Sequence, residues 1–408
     1  MANLFKPSSA QIVATSDDLI IEIIKRLPLK QTVQFRLVSK YWNSLILDPK
    51  LCLLRNRPVV GLIFEVLDNG KSPTWYITSV CSYIMFLDKS ISPLIQEMSP
   101  TKFTWYWHCR ILHSCNGLLL CVSNQIYNLS PKYYVCNPTT NKCIVLPKVL
   151  DHHNRDSIHG MYLAFDPSKS PHYRVVCVLT LFPSGLHLFE VYSSETGSWR
   201  KGSESFEANV DFDFQDGVYW NGAIHWVNVV TKPRESVYFS LDCGQTLKVF
   251  PNPPLKDISY DKSDYYFGES DDHLHFVDGH RGSDEFIVYE MKRDYSEWFV
   301  KYKVNVHEMK GGFSEWFVKE NVDVSKVDMD YYESFFKDEV FVRIYTVVRG
   351  KNDEDSFMVI VTGKRIARYN FEHKTCETLC EFESTTEHHS VFFGSKRPFQ
   401  YIESLCSV

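Results

Sequence analysis

The sequence predicts an α+β chain in two unequal parts: a small three-helix module at the N-terminus, then an all-β domain of the β-propeller type with about six to eight blades. Three observations carry this prediction. Apolar residues recur at helical spacing up to residue 57 and in short strand-like runs from Pro58 onward. The strand-like runs follow one another without helical stretches between them. A weak internal repeat has a period near 50 residues. The predicted domains are 13–57 and 58–408. A chain of 408 residues is long enough for more than one domain, at roughly 100–200 residues each.

The first helix begins after Ser16, a capping residue, with Asp17 and Asp18 in the turn where the helix dipole favours acids. Leu19, Ile20, Ile23, Ile24 and Leu27 then recur at helical spacing, while Glu22, Lys25 and Arg26 face away. Pro28 stops the helix. A second short helix is expected from about Lys30, with Val33, Phe35, Leu37 and Val38 apolar. A third carries Tyr41, Trp42, Leu45, Ile46 and Leu47, and Asp48-Pro49 ends it and opens a helical turn through Leu54.

The strand-like runs are Val59–Val66, Tyr83–Leu87, Gly117–Val122, Tyr133–Cys136, Met161–Phe165, Arg174–Leu181, Leu186–Tyr192, Gly217–Trp220, Ala223–Val230, Ser236–Leu241, Leu274–Val277, Phe286–Tyr289, Glu339–Val348, Ser356–Val361 and Val391–Phe393. Trp220-Asn221-Gly222-Ala223 marks a hairpin, because Asn-Gly accepts the positive φ angles of a type I′ turn. An aromatic content of 15% suits pleated surfaces better than helices.

The repeat reads as a strand, a polar turn and a second strand. Its anchors Asn137, Ser193, Asp242, Lys292 and Phe371 are separated by 56, 49, 50 and 79 residues. That period fits a four-stranded, kelch-like blade, and the domain has room for about seven, with six or eight as alternatives. The long last gap holds a near-duplication, Ser296–Lys301 against Ser314–Lys319, read as an insertion within one blade. A pair of sandwiches is the alternative architecture.

Composition and motifs exclude several function classes. With 44 basic and 50 acidic residues, the net charge of −6 disfavours a nucleic-acid-binding surface. The 12 cysteines form no CxxC pair, and most sit inside apolar runs, so they are expected to be reduced core residues rather than metal ligands. No apolar leader is evident in residues 1–16, and no run of 18 apolar residues occurs. Cytoplasm or nucleus is the expected compartment, with no membrane partner and no cofactor. No phosphate-binding glycine loop and no GxSxG elbow is present. The close histidine pairs are His152-His153, His273-x-His275 and His388-His389; His273 and His275 share a strand face but lack a third ligand nearby in sequence. Asp211-x-Asp213-x-Gln215-Asp216-Gly217 fails as a calcium loop and reads as a turn. The polar segments Asp151–His159, Lys201–Asn209, Lys256–Asp264 and Arg349–Asp355 are candidate contact loops, but the target-binding residues are unknown at this level.

The run from Ser16 through Leu27-Pro28-Leu29-Lys30, Phe35-Arg36-Leu37-Val38-Ser39-Lys40 and Trp42 to Ile46 resembles an F-box. It departs from the common pattern at Thr15-Ser16, where many F-boxes have Leu-Pro. The remainder is similar to the F-box-associated domain of plant F-box proteins. That likeness rests on Ser114–Leu120, Asn137-Pro138-Thr139-Thr140, Leu146-Pro147, Ala164–Pro167, Tyr173–Val176, Trp220–Trp226 and Tyr401–Leu405. The resemblance implies a non-catalytic adaptor in a Skp–cullin–F-box (SCF) ubiquitin ligase, binding a Skp-type adaptor and, through it, a cullin, while the β domain holds a target protein. The alternative is an interaction scaffold that delivers no target for degradation. By analogy the adaptor-facing set is Leu19, Ile20, Ile23, Leu27, Pro28, Leu29, Val33, Phe35, Arg36 and Val38, with Trp42 and Leu45 holding the helices together. The physics agrees, because so small a module carries more apolar side chains than it can enclose. Packing of that surface onto the β domain is the competing expectation.

Overall fold

The computed structural model describes residues 13, 16–27, 32, 34–46, 48, 59–68, 79–88, 95–97, 109–123, 131–149, 157–181, 185–206, 212, 214–229, 235–242, 245–255, 265–279, 285–305, 342–362, 365–381 and 398–408.

Helix α1 (Asp17–Arg26) carries Asp17 and Asp18 in its first turn. Ser16 stands at the cap position in extended conformation, but its hydroxyl makes no capping bond. The Ser16 carbonyl instead accepts from the Ile20 N–H at 3.0 Å. Leu27 leaves the helix extended, its N–H still bonded to the Ile24 carbonyl. Thr32, Gln34 and Phe35 are helical, and Arg36–Val38 form a turn. Helix α2 (Lys40–Ile46) follows, capped by Ser39 Oγ, which accepts from the Trp42 N–H at 3.1 Å. The expected turn from Pro49 to Leu54 lies outside the described residues.

Six four-stranded antiparallel sheets make up the described part of the β domain. In chain order the strands are β1 (Val59–Asp68), β2 (Ser79–Phe86), β3 (Ile95–Glu97), β4 (Cys109–Cys115), β5 (Leu118–Ser123), β6 (Tyr133–Asn137), β7 (Lys142–Val145) and β8 (Ser157–Ala164). Then come β9 (Arg174–Leu181), β10 (Leu186–Ser193), β11 (Ser198–Phe206), β12 (Val218–Trp220), β13 (Ala223–Trp226), β14 (Ser236–Ser240), β15 (Leu247–Phe250) and β16 (Tyr265–Ser270). The last are β17 (His273–Asp278), β18 (Glu285–Met291), β19 (Trp298–Asn305), β20 (Val342–Val348), β21 (Phe357–Thr362), β22 (Arg365–Asn370), β23 (Cys376–Glu381) and β24 (Phe399–Ile402).

The architecture is a six-bladed propeller, at the lower end of the expected range. The five repeat anchors all fall at one structural position, the turn from the third to the fourth strand of a blade. The sixth blade, outside the repeat, is assembled from both ends of the chain, in the order β24-β1-β2-β3. The longest sequence interval between described strands is 306–341, between β19 and β20. The second copy of the near-duplication and the expected strand Val391–Phe393 lie outside the described residues.

Blades are stitched to their neighbours at one end of the disc. Asn116 Nδ2 donates to the Phe165 carbonyl at 2.7 Å, and Arg174 Nη1 to the Leu241 carbonyl at 2.5 Å. Trp220 Nε1 donates to the Asp272 carbonyl at 2.9 Å, and the Arg349 N–H to Ser270 Oγ at 3.0 Å. The hairpins at that end are tight. Asn116-Gly117, Asn221-Gly222 and Asp271-Asp272 all have positive φ at both positions, as type I′ turns require. Two tryptophans add a second repeated stitch: Trp199 Nε1 donates to the Pro147 carbonyl at 2.9 Å, and Trp298 Nε1 to the Pro251 carbonyl at 2.8 Å. Each indole lies at the start of a fourth strand and reaches a proline just past the fourth strand of the previous blade, which gives Leu146-Pro147 a structural role.

The C-terminal tail locks the ring. Asn137, fully buried, accepts through Oδ1 from the Thr139 and Thr140 N–H groups and donates through Nδ2 to the Ser404 and Cys406 carbonyls. Gly117 has φ +89, and a Cβ there would sit 2.8 Å from the Ile402 carbonyl oxygen and closer still to Ser404 Cβ. The Asn-Gly hairpin therefore serves both the turn and the close passage of the tail.

One cysteine expectation is corrected. Cys136 and Cys143 form a disulfide across β6 and β7, where the register sets them opposite each other with Cα atoms 4.1 Å apart. Such a separation is typical of the closer kind of antiparallel pair. Cys109, Cys115, Cys121, Cys177, Cys376, Cys380 and Cys406 stand outside that disulfide, four of them buried. Partial burial pushes the Cys109 thiol up to about 11 and that of Cys376 up to about 12, which disfavours the reactive thiolate.

Candidate functional surfaces

The apolar residues of α1 form two stripes one residue out of phase. Ile20 and Ile24, four apart, are fully buried and pack with Ile46 of α2 and with Leu405 of the C-terminal tail. Leu19 and Ile23, also four apart, are 44% and 40% exposed. A helix with so wide an apolar face can give only one stripe to its own core. Phe35, Trp42 and Leu45 pack on the buried stripe, Phe35 and Trp42 with ring centroids 5.4 Å apart. Trp42 and Leu45 thus sit where the sequence expected them, between the helices.

The adaptor-facing set divides accordingly. Leu19, Ile23 and Val38 are exposed. Leu27, Phe35 and Arg36 are partly buried, and Arg36 Nε donates to Asn43 Oδ1 at 3.0 Å. Ile20 has no exposed surface and is corrected to a core residue, because it completes the i, i+4 pair with Ile24 beneath Leu405. Pro28, Leu29 and Val33 lie outside the described residues. Sequence reasoning missed two surface residues: Leu37, 88% exposed, and Tyr41, 43% exposed. The signal was present, since Leu37 and Val38 are adjacent apolar residues in a turn and cannot both turn inward. One stripe therefore packs beneath the C-terminal tail, and the other is left exposed in the chain.

The polar residues flagged in the sequence have structural partners. His273 and His275 flank Glu290 of β18, their Nε2 atoms 3.9 and 3.4 Å from its two oxygens. The carboxylate lies between the rings, whose centroids are 6.3 Å apart, and among the described residues no three His, Cys, Asp or Glu side chains are placed to hold a metal ion. The pairs at 152–153 and 388–389 are outside the described residues, as are Asp211 and Asp213. Asp216 has φ 57, in keeping with a turn before β12.

The contact-loop candidates also separate. Arg349–Asp355 lies at the stitched end, and its charges are engaged: Arg349 Nη1 reaches Tyr302 Oη at 2.6 Å and Asp353 Oδ1 at 2.7 Å, and Lys301 Nζ reaches Asp353 Oδ2 at 3.1 Å. These contacts hold the Asp353 carboxyl below its usual range, the Lys301 hydrogen bond contributing most. His159 and Lys201–Phe206 belong to β8 and β11, whereas 151–156, 207–209 and 256–264 are outside the described residues.

Within the disc, histidines serve as neutral connectors. His113 of β4 donates through Nε2 to the Gly217 carbonyl at 2.9 Å, and its Nδ1 accepts from the Leu163 N–H at 3.3 Å, so that one ring ties three blades. Burial lowers its pKa to about 4. His225, fully buried and 2.9 Å from Tyr295 Oη, is lowered to about 3, again chiefly by burial.

Comparison with known proteins gives two family matches. Residues 16–54 match the F-box domain, and residues 74–408 match the F-box associated beta propeller domain. An F-box protein of Arabidopsis thaliana is 30% identical over 440 residues, covering 99% of this chain and 95% of its own. A putative F-box protein of the same plant is 26% identical over 270 residues, covering 57% of this chain and 60% of its own. Among solved structures, the β-propeller domain of the Trilobed protease from Pyrococcus furiosus aligns with 84% of this chain and 97% of its own at 9% identity, with a TM-score of 0.39.

Proposed function

Since the chain belongs to the plant F-box proteins that carry a C-terminal F-box associated β-propeller domain, we propose that it is the substrate-recognition subunit of an SCF ubiquitin ligase. In this reading it performs no chemistry itself. It binds a Skp-type adaptor, and through it a cullin, by the F-box, and it presents a target protein on the propeller. Its place of work is the cytoplasm or nucleus, and it takes neither nucleic acid nor membrane as a partner.

The observation that carries the reading is the exposed apolar surface of Leu19, Ile23, Leu37, Val38 and Tyr41 on a module whose other apolar stripe is already used. Exposed apolar groups gathered on so small a unit mark an interface. For the target, topology favours the face away from the stitched end. There each fourth strand ends and the first strand of the next blade begins, and the sequence intervals between them are the longer ones, among them 98–108, 146–156, 207–217, 251–264 and 382–398. The stitched end is occupied by short hydrogen-bonded turns and by the tail. Connections carried by a rigid scaffold are where recognition most often resides.

The test is recovery of a Skp-type adaptor by the full chain and by a variant lacking residues 16–46. The reading predicts recovery by the first only; equal recovery refutes it. Proximity labelling with the same deletion variant then reports the target, which should become unstable when the intact chain is expressed. A bound protein that is neither ubiquitinated nor destabilised would favour the scaffold alternative.

A further inference from the structure

The segment after β24 has two sides, each engaged by a different part of the chain. On one side the Ser404 and Cys406 carbonyls accept from Asn137 Nδ2 at 3.0 and 2.7 Å, and the Ser404 N–H donates to Thr139 Oγ1 at 3.0 Å. On the other side Leu405 packs with Ile20, Ile24 and Ile46 of the helical module. This alternation is what an extended segment produces, since residues i and i+2 share a face and i+1 takes the opposite one.

We infer that Ser404–Cys406 is a strap: its seat on the β6–β7 turn fixes the F-box to the propeller, so that Asn137 controls the packing of α1 at second hand. Two features make the coupling strong. The buried stripe of α1 belongs to a small cluster in which Leu405 is one of only four fully or nearly buried side chains among the described residues. A core so small loses much of its packing when one member shifts. The strap also has little freedom to adapt, because it passes over Gly117 at a distance that admits no Cβ. If Asn137 releases the two carbonyls, Leu405 loses its fixed position and α1 its floor. This link between the two domains holds whatever the exposed stripe of α1 binds.

Amide hydrogen exchange of the full chain, read by mass spectrometry on peptides covering α1, tests the strap. Asn137→Ala, Leu405→Ala and the double variant are compared with the wild type. Exchange across α1 should rise about tenfold or more in each single variant, and in Leu405→Ala β16–β19 should stay unchanged. The double variant should exchange no faster than the faster single one, since both changes open the same contact. Unchanged α1 exchange in Asn137→Ala, alongside faster exchange over 403–408, overturns the inference, as do effects that multiply in the double variant. Asn137→Ser, a gentler loss, covers the case in which alanine compromises the disc; an unchanged α1 rate there is equally decisive against the strap.

Discussion

Replacing Asn137 by alanine should destabilise the propeller more than the loss of either tryptophan stitch. The side chain is fully buried and makes four hydrogen bonds: Oδ1 accepts from the Thr139 and Thr140 N–H groups at 2.9 and 3.1 Å, and Nδ2 donates to the Ser404 and Cys406 carbonyls at 3.0 and 2.7 Å. A net hydrogen bond is worth about 1 kcal/mol, and a buried group left without its partner costs about 1–3 kcal/mol. The turn N–H groups can regain water, but the two carbonyls belong to buried residues of the tail, so the expected loss is about 3–5 kcal/mol. Against a typical domain stability of about 5–15 kcal/mol, that is a large fraction. Asn137→Asp should be at least as damaging, because it keeps the acceptor toward the turn but turns an acceptor, not a donor, on the two carbonyls. Urea denaturation followed by tryptophan fluorescence measures the loss as a lower midpoint at unchanged slope. A loss below about 1 kcal/mol would refute the reasoning that the tail closes the ring through this side chain.

Other perturbations test other parts of the account. Gly117→Ala should destabilise the fold by about 1–3 kcal/mol, because it adds a Cβ at φ +89 and against the Ile402 carbonyl; thermal melting unchanged from wild type would contradict the close passage of the tail. Trp199→Phe and Trp298→Phe should each cost about 1 kcal/mol for the lost bond to the Pro147 or Pro251 carbonyl, and the costs should add, since the two sites lie in different blades. Acid should weaken the contribution that the buried histidines make to the fold. The folded-state pKa values of His113 and His225, about 4 and about 3, lie below the ordinary value of 6.5. Between pH 6.5 and 4 the unfolded chain therefore takes up protons that the folded chain refuses, and stability falls as pH falls. Each histidine contributes up to about 3 kcal/mol of that loss by about pH 4. His225→Phe should reduce the slope of stability against pH in this window; an unchanged slope would show that the ring is not held neutral.

Much of this architecture is legible in the sequence, and what is not has physical causes. The hairpin at Asn221-Gly222 follows from local φ preference alone, and it is found with both residues at positive φ. The repeat was readable because the third-to-fourth-strand turn reuses polar residues, with Asn137 and Ser193 at equivalent places. Ring closure was not readable. Phe399–Ile402 carries no local mark of pairing with Val59–Asp68, because its partner is at the far end of the chain. The Cys136–Cys143 pair was missed for a related reason: cysteine spacing says little until the register of β6 and β7 sets the two opposite each other. On the F-box, periodicity identified the apolar residues of α1 but not their division, since Leu19 and Ile20 look alike until Leu405 covers one of them.

The central claim is that the exposed stripe of the F-box is a partner surface while the buried stripe is core. Titration calorimetry of the purified chain with a Skp-type adaptor, comparing wild type with Leu19→Asp/Ile23→Asp, tests it most directly. Both side chains are about half exposed in the free chain, so covering the remainder contributes about 1 kcal/mol each, and burying carboxylates in their place costs more. The account predicts a loss of affinity of at least about 30-fold with thermal melting unchanged. Equal affinity of the two proteins, or loss of binding only where the fold itself is lost, would contradict it.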